Sequence, residues 1–435
     1  MLHCTKVSLP NADLWGHIIA MQQILMQRQK RERWARQAGL GRLGRLLAEL
    51  KRRLGLSRAA GPVERLVRPA RLFLGAARQG GAAAHRFALA LQGGGAHGAF
   101  TWGVLDRLLA EPHLEIAGIS GTSAGAFNAA ALASGYLAGG PEGAQKSLAE
   151  LWRRVARLAP FSPTRISPLE RLVAGWNADW TPVHIVFDLA SRLLSPYQLN
   201  PLGLDPVRNI LVELIDFEGL KGPQAIPLFI AATNLHDGGR RIFTNAELSP
   251  DVLIASACLP TIHHAVKLDD GYYWDGGFSA NPPLLPLIDH CDASEILLVH
   301  VNPMNEPDIP VTARDIHSRL NTIVFNGPLK REFEMISWLR QAIEGAGGKD
   351  SPLGRRLAQL TIRSIGADEL MRRLGTASKL NPDWRFVTYL RDAGGEAAER
   401  WLEDAFGGGV EQPNAATPVT EGNLAPVRAQ GGQDR

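Results

Sequence analysis

Short apolar runs alternate with helical patterns between residues 86 and 134, and this alternation is the clearest regularity in the chain. Residues 86–91 and 116–120 are continuous apolar runs, and each leads through glycine or serine into a stretch with helical spacing, 98–109 and 123–134. Strand, helix, strand, helix at this spacing is typical of a parallel sheet with crossover helices. The pattern therefore predicts an α/β fold.

Later apolar runs extend this prediction. Residues 227–233 and 295–301 predict two more buried strands, and 359–365 predicts a strand within the long helical patterns of 311–406. An aromatic-rich insertion at about 151–219 is expected to be helical and to cover an apolar surface. We therefore expect a core domain at 86–310 that contains this insertion, followed by a mostly helical C-terminal region.

The two ends of the chain differ from this core in composition. Residues 1–85 are rich in Arg, Leu, Gly and Ala and predict a basic helical extension, whereas 407–435 are rich in Gly, Pro, Gln and Asn and are expected to be disordered. On a helical wheel, six leucines of the extension share one arc of about 120°. These are Leu40, Leu43, Leu46, Leu47, Leu50 and Leu54. The pattern fits a helix on a membrane surface, or one that docks its leucines on the protein body.

Charge is unevenly placed in this chain of 435 residues, whose formal net charge is +4. Residues 28–78 hold fifteen Lys or Arg and three Asp or Glu, so the remainder is net acidic. This asymmetry suggests an anionic membrane surface as a partner of the basic extension. No base-reading motif accompanies the charge, so we expect no nucleic-acid partner. The oligomeric state is not predicted.

Metals, cofactors and disulfides are not expected. The three cysteines, Cys4, Cys258 and Cys291, are too few and too scattered for a disulfide framework or a zinc site. The pair His263-His264 is isolated and is interpreted as structural. The apolar stretch 14–26 is too short to span a bilayer and follows no basic n-region. We therefore expect a cytoplasmic location with peripheral membrane contact.

The candidate nucleophile lies in a Gly-x-Ser-x-Gly turn. Gly121-Thr122-Ser123-Ala124-Gly125 follows a predicted strand and opens a helix of small residues. Such a bend exposes the serine hydroxyl, and the flanking glycines let neighbouring backbone pass without a Cβ clash. The helix N-terminus also directs its dipole at developing negative charge. The strand–turn–helix context therefore favours a serine nucleophile over a chance match.

A glycine-rich loop follows the first predicted strand. It reads Gly93-Gly94-Gly95-Ala96-His97-Gly98. Bare peptide N–H groups at a helix N-terminus can bind an anion, which in acyl transfer is the tetrahedral oxyanion. Three of these glycines also fit the dinucleotide pattern G-x-G-x-x-G, but the second strand ends in Ser120, and Glu115 lies at its wrong end to hold a ribose. No Lys-Ser or Lys-Thr follows for a phosphate loop.

The candidate base is Asp275, within Tyr273-Trp274-Asp275-Gly276-Gly277. An aspartate in this position could equally cap a turn. His290, His300 and His317 follow it and could complete a Ser–Asp–His order, although His300 lies in an apolar run typical of a core histidine. The residues alone do not decide between a dyad and a triad.

Taken together, these motifs resemble the patatin-like phospholipases over about residues 86–290. The glycine loop, Gly-Thr-Ser-Ala-Gly and Asp-Gly-Gly occur in the family's order. The segments 255–260 and 281–283, which read Ala-Ser-Ala-Cys-Leu-Pro and Asn-Pro-Pro, are similar to those of bacterial members. The resemblance implies a three-layer α/β/α sandwich with a mainly parallel central sheet.

The resemblance also implies roles for individual residues. Ser123 would be the nucleophile and Asp275 the base of a dyad without a catalytic histidine. Gly93, Gly94, Gly95 and Ala96 would form the oxyanion hole, and the remaining motif glycines would shape the turns. These are Gly98, Gly121, Gly125, Gly276 and Gly277. The family loop often carries Arg or Lys where this chain has His97, which leaves the role of that position open.

The expected function is therefore hydrolysis of lipid carboxylic esters, with a lipid as substrate and no cofactor. Two alternatives stay open. The same dyad could act on an intracellular polyester such as polyhydroxybutyrate, or the fold could be a non-catalytic membrane adaptor. Head group, acyl position and chain length are not predicted.

Overall fold

The computed structural model describes residues 85–159, 176–177, 186, 189–191, 193–346 and 348–406. The described residues all belong to one compact unit. The predicted leucine stripe and the predicted C-terminal tail lie outside the described residues, as do 27 of the 69 residues of the predicted insertion.

A single mixed sheet organises this unit. In chain order its eight strands are β1 (His85–Leu91), β2 (Leu114–Gly121), β3 (Leu228–Asn234), β4 (Arg240–Thr244), β5 (Val266–Leu268), β6 (Gly271–Asp275), β7 (Glu295–Val299) and β8 (Thr361–Ile365). The spatial order is β5-β6-β3-β2-β1-β7-β8, and β4 also pairs with β3. The five predicted strands are confirmed as β1, β2, β3, β7 and β8.

The sheet is parallel through its centre and antiparallel at one side. Strands β3, β2, β1, β7 and β8 run parallel, as the sequence predicted. Strands β4, β5 and β6 pair antiparallel, and the sequence analysis did not predict them. β4 reads Arg-Arg-Ile-Phe-Thr and β5 has three residues, so neither has the continuous apolar run by which buried strands are recognised.

The helices cover both faces of this sheet. In chain order they are α1 (Gly98–Leu108), α2 (Ala124–Ala156), α3 (Pro196–Leu199), α4 (Pro206–Leu214), α5 (Phe217–Leu220), α6 (Pro250–Ser256), α7 (Leu285–His290), α8 (Ala313–Gly345), α9 (Pro352–Gln359), α10 (Asp368–Leu374) and α11 (Trp384–Phe406). Short 3₁₀ turns include Gly95–His97, Gly276–Phe278 and Ala377–Leu380.

Strand β1 shows the three layers directly. Its residues Phe87, Leu89 and Leu91 lie in one hydrophobic cluster, together with side chains of α1, α2 and α11. Its Ala88 and Ala90 lie in a second cluster on the opposite face, with side chains of α7, α8 and α9. Successive strand side chains point to opposite faces, so one strand supplies both cores. The predicted α/β/α sandwich is confirmed.

Helix α2 is longer than the 123–134 that the sequence predicted. It runs to Ala156, with non-helical backbone at Gly139 and Gly140, so two helical segments meet at a break. Trp152 in the second segment contacts the first segment, because its indole N–H donates to Asn128 Oδ1 at 2.9 Å. The break therefore folds the second segment of the helix back against the first.

The C-terminal residues join the same unit. Strand β8 pairs in parallel with β7, and α11 packs closely against α1. A Cβ at Gly394 of α11 would overlap the Phe100 carbonyl of α1, so glycine permits this close approach. Residues 311–406 thus add an edge strand to the sheet and helices to both of its covering layers.

The described residues include two cysteines, and their helices can be compared with the span of a membrane. Cys258 and Cys291 are both buried free thiols. Within 85–406, apart from the gaps given above, no helix is both long enough and apolar enough to cross a bilayer.

Candidate active site

Ser123 occupies a strained turn between strand and helix. Its φ and ψ are 55° and −125°, and it is the one non-glycine residue with positive φ in the described part of the chain. The residue precedes α2 without capping it through its side chain, so the hydroxyl is not used by the helix. Such strain persists only where the surrounding structure enforces it, and it is concentrated at functional sites.

The glycines around Ser123 allow three segments to touch. A Cβ at Gly121 would lie 2.8 Å from the Gly125 main chain, and one at Gly125 would overlap the Leu91 carbonyl at the end of β1. A Cβ at Gly93 would lie 2.7 Å from Ser123 Cβ. The glycine-rich loop therefore sits directly against the turn that holds Ser123.

Asp275 reaches this turn because strand β3 pairs with both β2 and β6. Gly121, two residues before Ser123, is the partner of Ile230, and Asp275 is the partner of Ala232. The two candidate residues are thus joined through positions two residues apart on one strand. The sequence predicted both residues, and the structure brings them together.

The segment 255–260 ties the two candidates to each other. At the end of α6, Ser256 Oγ accepts a 2.9 Å hydrogen bond from the Ser123 N–H. Two residues later, the Cys258 carbonyl accepts a 2.8 Å bond from the Asp275 N–H. Helix α6 is fixed by its own N-cap, where Ser249 accepts from the Val252 N–H. The sequence analysis noted this segment only for its resemblance and gave its residues no role.

The Asp275 carboxyl is fully buried. Burial raises its pKa to about 7, although the Gly277 N–H, the Ser123 hydroxyl and the positive charge of Lys379 each lower it. A carboxyl with a pKa near neutrality is partly ionised at physiological pH and can both take up and release a proton.

The glycine-rich loop is anchored at its first residue. The Gly93 N–H donates to Asn281 Oδ1 at 2.7 Å, and the Gly93 carbonyl accepts from Asn302 Nδ2 at 2.9 Å. The next three N–H groups, those of Gly94, Gly95 and Ala96, form no hydrogen bond within the described part of the chain. The loop therefore presents three consecutive unused donors beside Ser123.

A buried amide network holds those anchors. Gln92 Oε1 accepts from the main-chain N–H groups of Val301 and Asn302, each at 2.9 Å, and Gln92 Nε2 donates to Asn326 Oδ1 at 2.9 Å. Asn281 Nδ2 donates to the Phe325 carbonyl at 3.2 Å. Sequence reasoning missed these residues, because nothing local marks an amide side chain as a distant partner of a loop.

His97 is buried and faces Ser378 and Phe386. Its Nε2 lies 2.7 Å from Ser378 Oγ, and its ring meets Phe386 edge-on. Burial, assisted by the nearby Lys379 charge, lowers the His97 pKa to about 3. The imidazole is therefore neutral at physiological pH, and the loop position that the family often fills with a cation carries no charge here.

The other histidines lie elsewhere. His300 is buried, as predicted, with Nδ1 3.4 Å from Asp368 Oδ1. His290 stacks on Phe229 with ring centroids 5.7 Å apart, and His264 stacks on Tyr197 at 4.1 Å. Among the described residues, no histidine is recorded in contact with the Asp275 carboxyl, and no group of three or more His, Cys, Asp or Glu is arranged to hold a metal ion.

Comparison with known proteins agrees with this architecture. The family model of the patatin-like phospholipases matches residues 89–288. No curated protein sequence matches the chain.

Two solved structures align with most of the chain at low similarity. VipD from Legionella pneumophila aligns at 16% identity and a TM-score of 0.36, over 74% of this chain and 67% of that one. Full-length ExoU from Pseudomonas aeruginosa, solved in complex with SpcU, aligns at 20% identity and a TM-score of 0.24, over 74% of this chain and 54% of that one. The chain thus spans about half of the length of ExoU.

Proposed function

We propose that the chain, whose residues 89–288 match the patatin-like phospholipase family model, cleaves acyl esters of lipids through a Ser123–Asp275 dyad. The observation that carries this proposal is the meeting of a strained serine with a fully buried carboxyl whose pKa is about 7. Neither residue needs a histidine in this arrangement, because the carboxyl itself can exchange a proton near neutral pH.

The proposed oxyanion hole uses the unused N–H groups of the glycine-rich loop. Gly93 was predicted to be one of the donors, but its N–H is already bonded to Asn281 Oδ1, so that prediction is wrong. Gly94, Gly95 and Ala96 remain as donors, and Gly93 anchors the loop. Removal of one such donor costs about 3–4 kcal/mol of transition-state stabilisation in serine hydrolases.

The proposed reaction has two halves. The Ser123 hydroxyl attacks the ester carbonyl and transfers its proton to the Asp275 carboxylate, while the carbonyl oxygen gains its negative charge at the loop N–H groups. Collapse of this intermediate breaks the ester C–O bond, and Asp275 returns the proton to the departing alcohol. Water then attacks the acyl-enzyme, gives a proton to Asp275 and releases the fatty acid as Ser123 regains its hydroxyl.

Peripheral membrane association in the cytoplasm is part of the proposal and rests on the sequence. The excess of basic residues between 28 and 78 would attract anionic lipid, and each such residue near the surface contributes about 1 kcal/mol. Binding of this kind would bring the active site to its substrate.

Labelling with a fluorophosphonate probe tests the nucleophile, and a substrate panel tests the reaction. The wild-type chain should be labelled, and Ser123→Ala should not. Phospholipids, a neutral glyceride and polyhydroxybutyrate should be compared, with release of fatty acid or hydroxyacid as the readout. Release from polyhydroxybutyrate alone would favour the polyester alternative, and absence of labelling in the folded wild-type chain would favour the non-catalytic adaptor.

A further inference from the structure

A segment outside the matched family region lies against the glycine-rich loop. It is the 3₁₀ turn Ala377–Leu380, between α10 and α11. Within it, Ser378 Oγ bonds His97 Nε2 at 2.7 Å. The next carbonyl, that of Lys379, lies so close to Gly95 that a Cβ there would overlap it. The turn therefore supports the loop at the position of its free N–H groups. In the sequence, the turn lies more than half the chain length after Ser123.

The Lys379 ammonium continues this support from the side chain. Nζ donates to Asn302 Oδ1 at 2.6 Å, and Asn302 Nδ2 in turn donates to the Gly93 carbonyl at 2.9 Å. Nζ also lies 5.9 Å from the Phe325 ring centroid, and that ring packs against Gly277 in the turn after Asp275. One half-buried lysine is thus linked to both the loop and the carboxylate turn.

We propose that Lys379 is a positioning residue of this active site, which holds the glycine-rich loop through Asn302 and supplies the positive charge beside it. The inference rests on the proposed function, because it concerns the same loop and the same base. It assigns a role in catalysis to the C-terminal region, which lies outside the matched residues 89–288.

The charged surroundings support this role. The groups that act electrostatically on Asp275 or lie against it are Ser123, Cys258 and Lys379. The serine is uncharged, and burial raises the pKa of the Cys258 thiol to about 12, so it is also neutral. His97 is neutral as well. Lys379 is therefore the cation of this constellation, and its charge lowers the pKa of both Asp275 and His97.

A positive charge here favours two states of the reaction. It stabilises the ionised form of Asp275, which the first proton transfer requires. It also stabilises the negative charge that the ester oxygen gains at the loop, because electrostatic interactions are stronger in a buried site than in water. If the charge of Lys379 matters, its removal should shift the pH dependence of activity, and another cation at this position should restore it. If Lys379 acted through packing alone, its substitution would leave the pH dependence unchanged.

The test compares four variants by their pH profiles. Lys379→Met removes the charge at similar volume, Lys379→Gln keeps an N–H donor for Asn302, and Lys379→Arg keeps the charge. Lys330→Met is the matched control, since Lys330 is also a half-buried lysine but is not among the groups that act on Asp275. The readouts are kcat/KM on a soluble p-nitrophenyl ester against pH, the rate of fluorophosphonate labelling, and a melting curve.

We expect the acidic limb of the profile to move to higher pH in Lys379→Met and Lys379→Gln, and to stay in place in Lys379→Arg and Lys330→Met. In the two neutral variants we expect kcat to fall by less than about 100-fold, which is the smallest loss typical for removal of an oxyanion donor. A limb that stays in place in whichever neutral variant is folded, or an Arg variant that behaves like Met, overturns the proposal. If folded wild type is neither active nor labelled, it is the proposed function that fails.

Discussion

The Gly277 N–H donates a 2.7 Å hydrogen bond to Asp275 Oδ1, while Asp275 Oδ2 is buried and has no hydrogen-bond partner in the described part of the chain. One oxygen is therefore fixed by the turn, and the other would exchange the proton in the proposed reaction. A buried polar atom without a partner is costly, and a catalytic role is one explanation for retaining it. This relationship leads to the first prediction.

Asp275→Asn should abolish ester hydrolysis and stabilise the fold above neutral pH. The raised pKa, about 7 against the ordinary 3.8, means that the folded state binds a proton that the unfolded state has released between these values. The contribution of wild-type Asp275 to stability is thus present below pH 4 and is lost as the pH rises through 7. Asn cannot ionise. The free energy of unfolding of Asp275→Asn should therefore exceed that of wild type increasingly as the pH rises from 4 to 7, by about 1.4 kcal/mol per pH unit and a few kcal/mol in all.

Asp237→Asn is the matched control for this experiment. Asp237 Oδ1 accepts from the Gly239 N–H at 2.7 Å, the same two-residue turn bond, but the side chain is exposed. Chemical denaturation of wild type and both variants at pH 5 and pH 8 gives the comparison. An Asp275→Asn advantage that is equal at the two pH values, or that the control reproduces, contradicts the assignment of a buried titrating base.

Ser123→Ala should remove ester hydrolysis by several orders of magnitude and leave the fold intact, because the nucleophile is lost but the backbone is unchanged. Ser123→Gly should also be inactive, yet more stable than Ser123→Ala. The reason is the φ of 55°, at which alanine keeps a strain of about 1–3 kcal/mol that glycine relieves. Kinetics on a soluble ester and denaturation curves test both statements. Residual activity in folded Ser123→Ala contradicts the dyad.

Three histidine variants separate a dyad from a triad. His290→Ala and His317→Ala change exposed residues and should leave both kcat/KM and the melting temperature near the wild-type values. His300→Ala should lower stability by about 1–3 kcal/mol, because it leaves a cavity where the buried ring packs against Gly366, but its folded fraction should keep its activity. A folded histidine variant as inactive as Ser123→Ala would show that a third catalytic group exists.

The sequence predicted those parts of the fold that have a local pattern. The central parallel strands are continuous apolar runs, and Gly121, Ser123 and Gly125 form a recognisable turn, so each could be found from neighbouring residues alone. Strand β4 was not predicted because two arginines occupy its first two positions and interrupt the apolar pattern. Strand β6 escaped because Asp275 looks like a turn residue until β3 is seen to pair with it.

The residues that hold the site in place left no such pattern. Gln92, Asn281 and Asn302 are ordinary amides whose partners lie far away in the chain, and Lys379 stands in a helical region with no motif around it. Their roles follow from tertiary contacts, so one sequence without the fold cannot reveal them. The same contacts explain why Gly93 was predicted as a donor but serves as an anchor.

Deletion of residues 1–80 should reduce binding to anionic vesicles but not to neutral ones, and high salt should have the same effect on the full chain, because surface attraction fades within a Debye length. Hydrolysis of a soluble ester should survive, since all proposed catalytic groups follow residue 92. Vesicle sedimentation at two salt concentrations tests this. A truncated protein that melts earlier, with full-length binding weak and independent of salt, would instead indicate that the leucine stripe packs on the protein body.

Gly95→Ala should nearly abolish activity, whereas Gly238→Ala should not. Both glycines have positive φ, 58° and 69°, so alanine strains the backbone by about 1–2 kcal/mol at either position. Only at Gly95 does the new methyl group also meet a fixed atom, the Lys379 carbonyl oxygen, whereas nothing lies within 4 Å of a Cβ at Gly238.

The loop must therefore move away from Lys379 in Gly95→Ala, and the three free N–H groups move with it. We expect similar melting temperatures for the two variants, because the loop can shift, but a loss of kcat of at least about 100-fold in Gly95→Ala alone, as for removal of an oxyanion donor. Kinetics on a soluble ester, with fluorophosphonate labelling to count intact nucleophiles, measure this. Equal activity in the two variants would mean that the oxyanion is bound elsewhere than at this loop.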